Sequence, residues 1–74
     1  MNEAIAKTLL ELRKTHKISQ EKLAEAIDSH QVYISEIEKG KKIPSLTILY
    51  KIALFYKMTL TELVSRIEEK LVKK

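Results

Sequence analysis

Residues 18–46 read ISQEKLAEAIDSHQVYISEIEKGKKIPSL, and the fold turns on how this stretch is divided. Ser19 carries a short side-chain oxygen that can accept from the free amides at a helix start, and Glu21 falls in the first turn, where the helix dipole favours an acid. A helix therefore begins at Gln20 and buries Leu23, Ala24 and Ile27. Only Asp28-Ser29-His30 separates it from a second helix, from about Gln31 to Lys39, with Ile34 and Ile37 inward. Gly40 follows, free to take the left-handed conformation that closes a helix. Two short helices packed across so tight a turn fit a helix-turn-helix. An ordinary helical bundle with one short connection fits the length and pattern as well.

Outward from this stretch the chain stays helical. Before it, Ile5, Ala6, Leu9 and Leu12 form the apolar stripe of a helix from about Glu3 to Thr15. The only glycine and the only proline lie within Gly40-Lys41-Lys42-Ile43-Pro44-Ser45. Ser45 then caps a helix through Phe55 or Tyr56, with Leu46, Leu49, Ile52 and Ala53 inward. Thr59-Leu60-Thr61-Glu62 reads as a capping box that opens a last helix carrying Leu60, Leu63, Val64, Ile67 and Leu71. The expected fold class is all-α, with five helices in one domain over residues 1–74.

With 74 residues, such a chain buries only about 60–65% of the surface it exposes when unfolded, so its core is thin. Composition excludes several classes of function. There is no cysteine, hence neither a disulfide nor a thiolate metal site. His16 and His30 lie in separate turns without a partner at ligand spacing, so no metal is expected. No nucleophile–base constellation, paired carboxylates or glycine-rich phosphate loop occurs, so neither an enzyme nor a cofactor is indicated, and no catalytic residue is assigned. No apolar run approaches the ~20 residues of a membrane span, and the start lacks a signal-peptide core; the expected location is cytoplasmic. Glu68 and Glu69, interleaved with lysines, argue against a membrane-surface helix. The net charge of +4 is uneven: residues 1–40 hold six Lys/Arg against seven acids, and residues 41–74 hold eight against three. A basic balance fits a polyanionic partner without specifying one.

Across Ile18-Ser19-Gln20-Glu21-Lys22-Leu23-Ala24 and Tyr33-Ile34-Ser35-Glu36-Ile37-Glu38-Lys39-Gly40-Lys41-Lys42-Ile43-Pro44-Ser45-Leu46, the chain closely resembles the phage-repressor (Cro/repressor, Xre-type) helix-turn-helix family. The match continues through Leu49, Lys51-Ile52-Ala53 and Leu60-Thr61-Glu62-Leu63 and covers about residues 9–64. The resemblance implies a five-helix phage-repressor-like domain whose second and third helices form the helix-turn-helix. It implies that the third helix enters the major groove of double-stranded DNA, with Gln31, Val32, Ser35 and Glu36 at the base-reading positions. Gln31 suits adenine and Val32 a thymine methyl, while Ser35 can donate or accept. Glu36 can accept from cytosine N4, but it repels phosphate, which suggests exclusion of wrong sites or orientation of a neighbour. Gln20, Tyr33, Lys39, Lys41 and Lys42 fall where phosphates would be held. For Tyr33, cover of the core edge is an equal alternative. Arg13 and Glu38 correspond to a structural ion pair bracing the first helix against the third. Two positions depart from the pattern: Asp28, where relatives usually have glycine, and His30, where they have a Ser or Thr cap. Ser29 could take over that cap and shift the helix start by one residue.

A module this small should read DNA as a dimer. Leu60, Val64, Ile67 and Leu71 form a stripe for a homodimer interface within residues 59–74, with Leu60 and Leu63 also closing the core. The chain ends soon after this helix, and no small-molecule effector is expected. The reading is a transcriptional repressor or controller protein on a palindromic operator. An antitoxin or protein-interaction module using the same fold is the alternative.

Overall fold

The computed structural model describes residues 1–72; of the segment 59–74, Lys73 and Lys74 lie outside the described residues. These residues form helices α1 (Asn2–Thr15), α2 (Gln20–Ala26), α3 (Gln31–Glu38), α4 (Leu46–Phe55) and α5 (Leu60–Val72), with no strand among them. Polar side chains start three of the helices. Ser19 Oγ accepts from the Lys22 amide at 3.0 Å and Ser45 Oγ from the Ile48 amide at 3.1 Å. Thr59 and Glu62 satisfy each other's backbone amides, at 2.8 and 3.0 Å, in a reciprocal capping box. At α3 the expected alternative, a cap at Ser29, is corrected. His30 itself stands at the N-cap, extended at φ −121° and ψ 148°, and makes no side-chain cap bond. Helix α3 therefore starts at Gln31.

The helix ends share one device. Beyond α1, α2, α3 and α4 a single residue turns left-handed: Lys17 (φ 55°), Asp28 (φ 58°), Gly40 (φ 77°) and Lys57 (φ 59°). Each such residue donates its amide to the third residue back, and the next residue reaches the fifth back. The second bonds are Ile18 to Arg13 (3.2 Å), Ser29 to Ala24 (2.8 Å), Lys41 to Glu36 (2.9 Å) and Met58 to Ala53 (2.8 Å). This is the Schellman closure, which satisfies carbonyls that a helix end leaves open.

α1 packs against α3 and α5, α2 against α3, and α4 against α5. Leu9, Leu12, Leu23, Ile27, Ile34, Ile37, Leu49, Ile52 and Leu63 fill the space between them. Burying each such side chain is worth about 1.5–3 kcal/mol. Thr8, buried within α1, satisfies its hydroxyl on the Ala4 carbonyl at 2.8 Å. Two expectations need correction here. Leu46 is exposed, because it opens α4 one turn before the packing row of Leu49, Ile52, Ala53 and Tyr56. Ile67 is only 4% exposed. It closes the monomer's own core and so offers no surface to a second copy.

Candidate nucleic-acid interface

In α3, Ile34 and Ile37 point into the core. At about 100° per residue the opposite face is centred on Val32, with Ser35 and Glu36 to either side and Gln31 at the rim. Val32 is 69% exposed, a large apolar side chain turned to solvent with nothing to cover it. Ser35 is half-buried and Gln31 exposed. The chain leaves α3 through Gly40, and Lys39, Lys41 and Lys42 stand exposed around that turn. Lys42 Nζ lies 3.6 Å from Glu36 Oε1, and Asn2 Nδ2 reaches the Gly40 carbonyl at 3.4 Å. Tyr33 is half-buried against the core, beside a shallow cleft it shares with His30, Val32, Glu36, Lys42 and Ile48.

Behind this face runs a chain of hydrogen bonds. The Arg13 guanidinium grips Glu38 with two bonds, Nε to Oε2 at 2.7 Å and Nη2 to Oε1 at 3.1 Å. Its Nη1 donates to the Ile18 carbonyl at 2.9 Å. Glu38 Oε1 also accepts from Gln20 Nε2 at 2.8 Å, and Gln20 Oε1 accepts from Gln31 Nε2 at 3.3 Å. The Arg13 and Glu38 side chains are 14% and 5% exposed. The hydrogen bond to Glu38 raises the Arg13 pKa above its ordinary value, outweighing the opposing effect of burial. Removing either partner would strand a charge, at a cost of about 3–5 kcal/mol, whereas the intact pair adds little net stability. Tyr56 sits close to both charges. Its ring packs against His16 at 4.6 Å and edge-on to Phe55 at 5.1 Å. Burial pushes the phenol up to about 12; Arg13 pulls it down and Glu38 adds to the rise.

The polarity of the chain of bonds is forced. An ionised carboxylate only accepts, so Gln20 must present its NH2 to Glu38 and its oxygen to Gln31. Gln31 must then spend one N–H on Gln20. It keeps one N–H and its oxygen for an outside partner, the donor–acceptor pair that an adenine edge complements. The sequence singles out Gln20 and Gln31 separately, and the family resemblance pairs Arg13 with Glu38. The link through Gln20, which precedes Glu38 by 18 positions and Gln31 by 11, leaves no local signal.

On α5, Val64 and Leu71 are exposed and Leu60 is half-buried, so the outward stripe is narrower than expected. Lys70 Nζ meets Glu11 Oε1 at 2.9 Å and fastens this helix to α1. No group of His, Cys, Asp and Glu among the described residues could hold a metal ion. No helix there is long and apolar enough to cross a membrane.

Two short helices across a four-residue connection, the second turned outward with a basic rim, define a helix-turn-helix module. Comparison with known proteins agrees. Residues 9–63 match the HTH_3 helix-turn-helix family model, and the chain belongs to that family. It is 45% identical over 62 residues to control protein C.MunI of Mycoplasma sp, covering 82% of this chain and 84% of the relative. The fold is similar to the clp gene regulator ClgR of Corynebacterium glutamicum, with TM-score 0.85 and 23% identity over 93% of this chain and 73% of the other. It is also similar to an HTH_3 family transcriptional regulator of Vibrio cholerae, with TM-score 0.79 and 24% identity, covering 95% of this chain but 39% of that one. The chain is a DNA-binding regulator of the phage-repressor, Xre-like type.

Proposed function

We propose that this chain regulates transcription as a homodimeric controller protein that reads a palindromic operator in double-stranded DNA. The observation that carries the reading is the bonded chain from Arg13 through Glu38 and Gln20 to Gln31. It fixes an amide at the rim of an outward helix so that a donor and an acceptor face away from the protein. Val32, Ser35 and Glu36 share that face, and Val32 supplies an apolar contact for a thymine methyl. Lys39, Lys41 and Lys42, with Tyr33 and the remaining N–H of Gln20, flank it as phosphate contacts that give affinity and register. The 45% identity to a control protein supports the controller assignment. Val64, Leu71 and the outer edge of Leu60 supply the two-fold contact that brings two reading helices onto one face of the duplex.

In vitro selection from random duplexes, followed by titration of the winner at several salt concentrations, tests this. The expected result is an inverted repeat with half-sites about one helical turn apart. Gln31→Ala should weaken it by about 1–3 kcal/mol while leaving the salt slope unchanged. Enrichment of no sequence, with weak salt-sensitive binding to any duplex, would exclude the reading and point to a protein partner, as for an antitoxin.

A further inference from the structure

We propose that Glu36 and Lys42 form one specificity-determining unit, in which Glu36 reads a cytosine through its N4 amino group and Lys42 supplies the counter-charge that lets a carboxylate approach DNA. The inference rests on the reading that α3 enters the major groove. Glu36 follows Val32 by four residues, so the two stand one above the other on the outward face. A base edge that meets Val32 therefore has Glu36 as its neighbour one turn along. An ionised carboxylate has only acceptors to offer. Guanine and thymine present only acceptors in the major groove and repel it. Adenine sets its N6 donor beside the N7 acceptor, which opposes the second carboxylate oxygen. Cytosine offers a donor with only C–H beside it on its own base edge.

A lone acid on this surface would also face the phosphate field. The fold supplies the remedy. Gly40, left-handed at φ 77°, turns the chain back on α3, and the Lys41 amide locks to the Glu36 carbonyl at 2.9 Å. Pro44 is buried and anchors the segment from its far side. The residue held between these fixed points is Lys42, whose ammonium lies 3.6 Å from the Glu36 carboxylate. With side chains 57% and 36% exposed, the pair adds little to stability. Its value lies in cancelling a charge at the reading surface. Lys42 is thus the partner of Glu36 before it is a phosphate clamp.

Selection and titration with the full chain, Glu36→Gln, Lys42→Met and the double variant test this, with circular dichroism checking that each folds. Glu36→Gln should keep the half-site but move one base pair from cytosine to adenine, which a glutamine amide pairs bidentately, and change the preference there by about tenfold. Lys42→Met should weaken the wild-type operator by about tenfold more than it weakens the operator selected by Glu36→Gln, where only its phosphate contact is left to lose. An unmoved base preference in Glu36→Gln, or equal losses from Lys42→Met in both backgrounds, would overturn the inference while leaving DNA reading intact. Failure of the wild-type chain to select any sequence would remove both.

Discussion

The hydroxyl of Tyr56 is buried beside the Arg13–Glu38 pair with no hydrogen-bond partner among the described residues. An unsatisfied buried hydroxyl costs about 1–3 kcal/mol, so Tyr56→Phe should raise stability by about 1 kcal/mol in urea unfolding at neutral pH. The same residue sets a pH dependence. Its folded pKa, about 12, lies above the unfolded value near 10. The contribution is complete below about pH 10 and is lost as pH rises toward about 12, because only the unfolded chain then releases the proton freely. Tyr56→Phe should flatten that part of the stability profile; an unchanged decline would show that other groups cause it. Individual residues were legible to different degrees. Ile34, Ile37, Leu49 and Leu63 declare their burial through helical spacing. The orphaned Tyr56 hydroxyl and the Gln20–Glu38 bond do not, since each depends on which helices meet far along the chain.

At the scale of elements, starts were easier to read than stops. Ser19, Ser45 and the Thr59–Glu62 pair are side chains whose chemistry announces a cap. Of the four left-handed closures, only Gly40 and, less directly, Asp28 carry a signature. Lys17 and Lys57 carry none, because their conformation is imposed by the packing of the following segment. A non-glycine residue in this region costs about 1–2 kcal/mol, partly offset by the freedom glycine loses on folding. Lys17→Gly and Lys57→Gly should therefore each stabilise the fold by about 0.5–1 kcal/mol, and Asp28→Gly by less, since aspartate tolerates the conformation better. Thermal unfolding of the three variants gives the order; a loss in either lysine variant would mean that the lysine side chain holds something its backbone angle does not reveal. His30 broke the expected pattern without moving the helix, because the start of α3 is set by Ile34 and Ile37 in the core rather than by its cap.

At the scale of the whole molecule, the apolar stripe of α5 divides in two. Leu63 and Ile67 are spent on the monomer, leaving Val64 and Leu71 outward. Sequence spacing could not make this division, since all lie within one arc of the helix and only the approach of α1 and α4 decides which become covered. The two classes should respond differently. Ile67→Ala should destabilise the monomer by about 2–5 kcal/mol through lost burial and a residual cavity. Val64→Asp should leave folding nearly intact and shift sedimentation from dimer to monomer, with operator affinity falling in step. A Val64→Asp protein that still sediments as a dimer would place the two-fold contact elsewhere.

The bonds that run from Arg13 to Gln31 have a consequence for exchange of parts. A recognition helix moved into another scaffold would carry Gln31 and Glu38 but leave Gln20 and Arg13 behind. Its reading amide would arrive free to rotate, and the transplanted surface would match in composition while speaking a looser dialect. On the proposed reading, operator preference is inherited by three helices jointly, so drift in an interior residue of α1 can retune a contact on the far side of the domain.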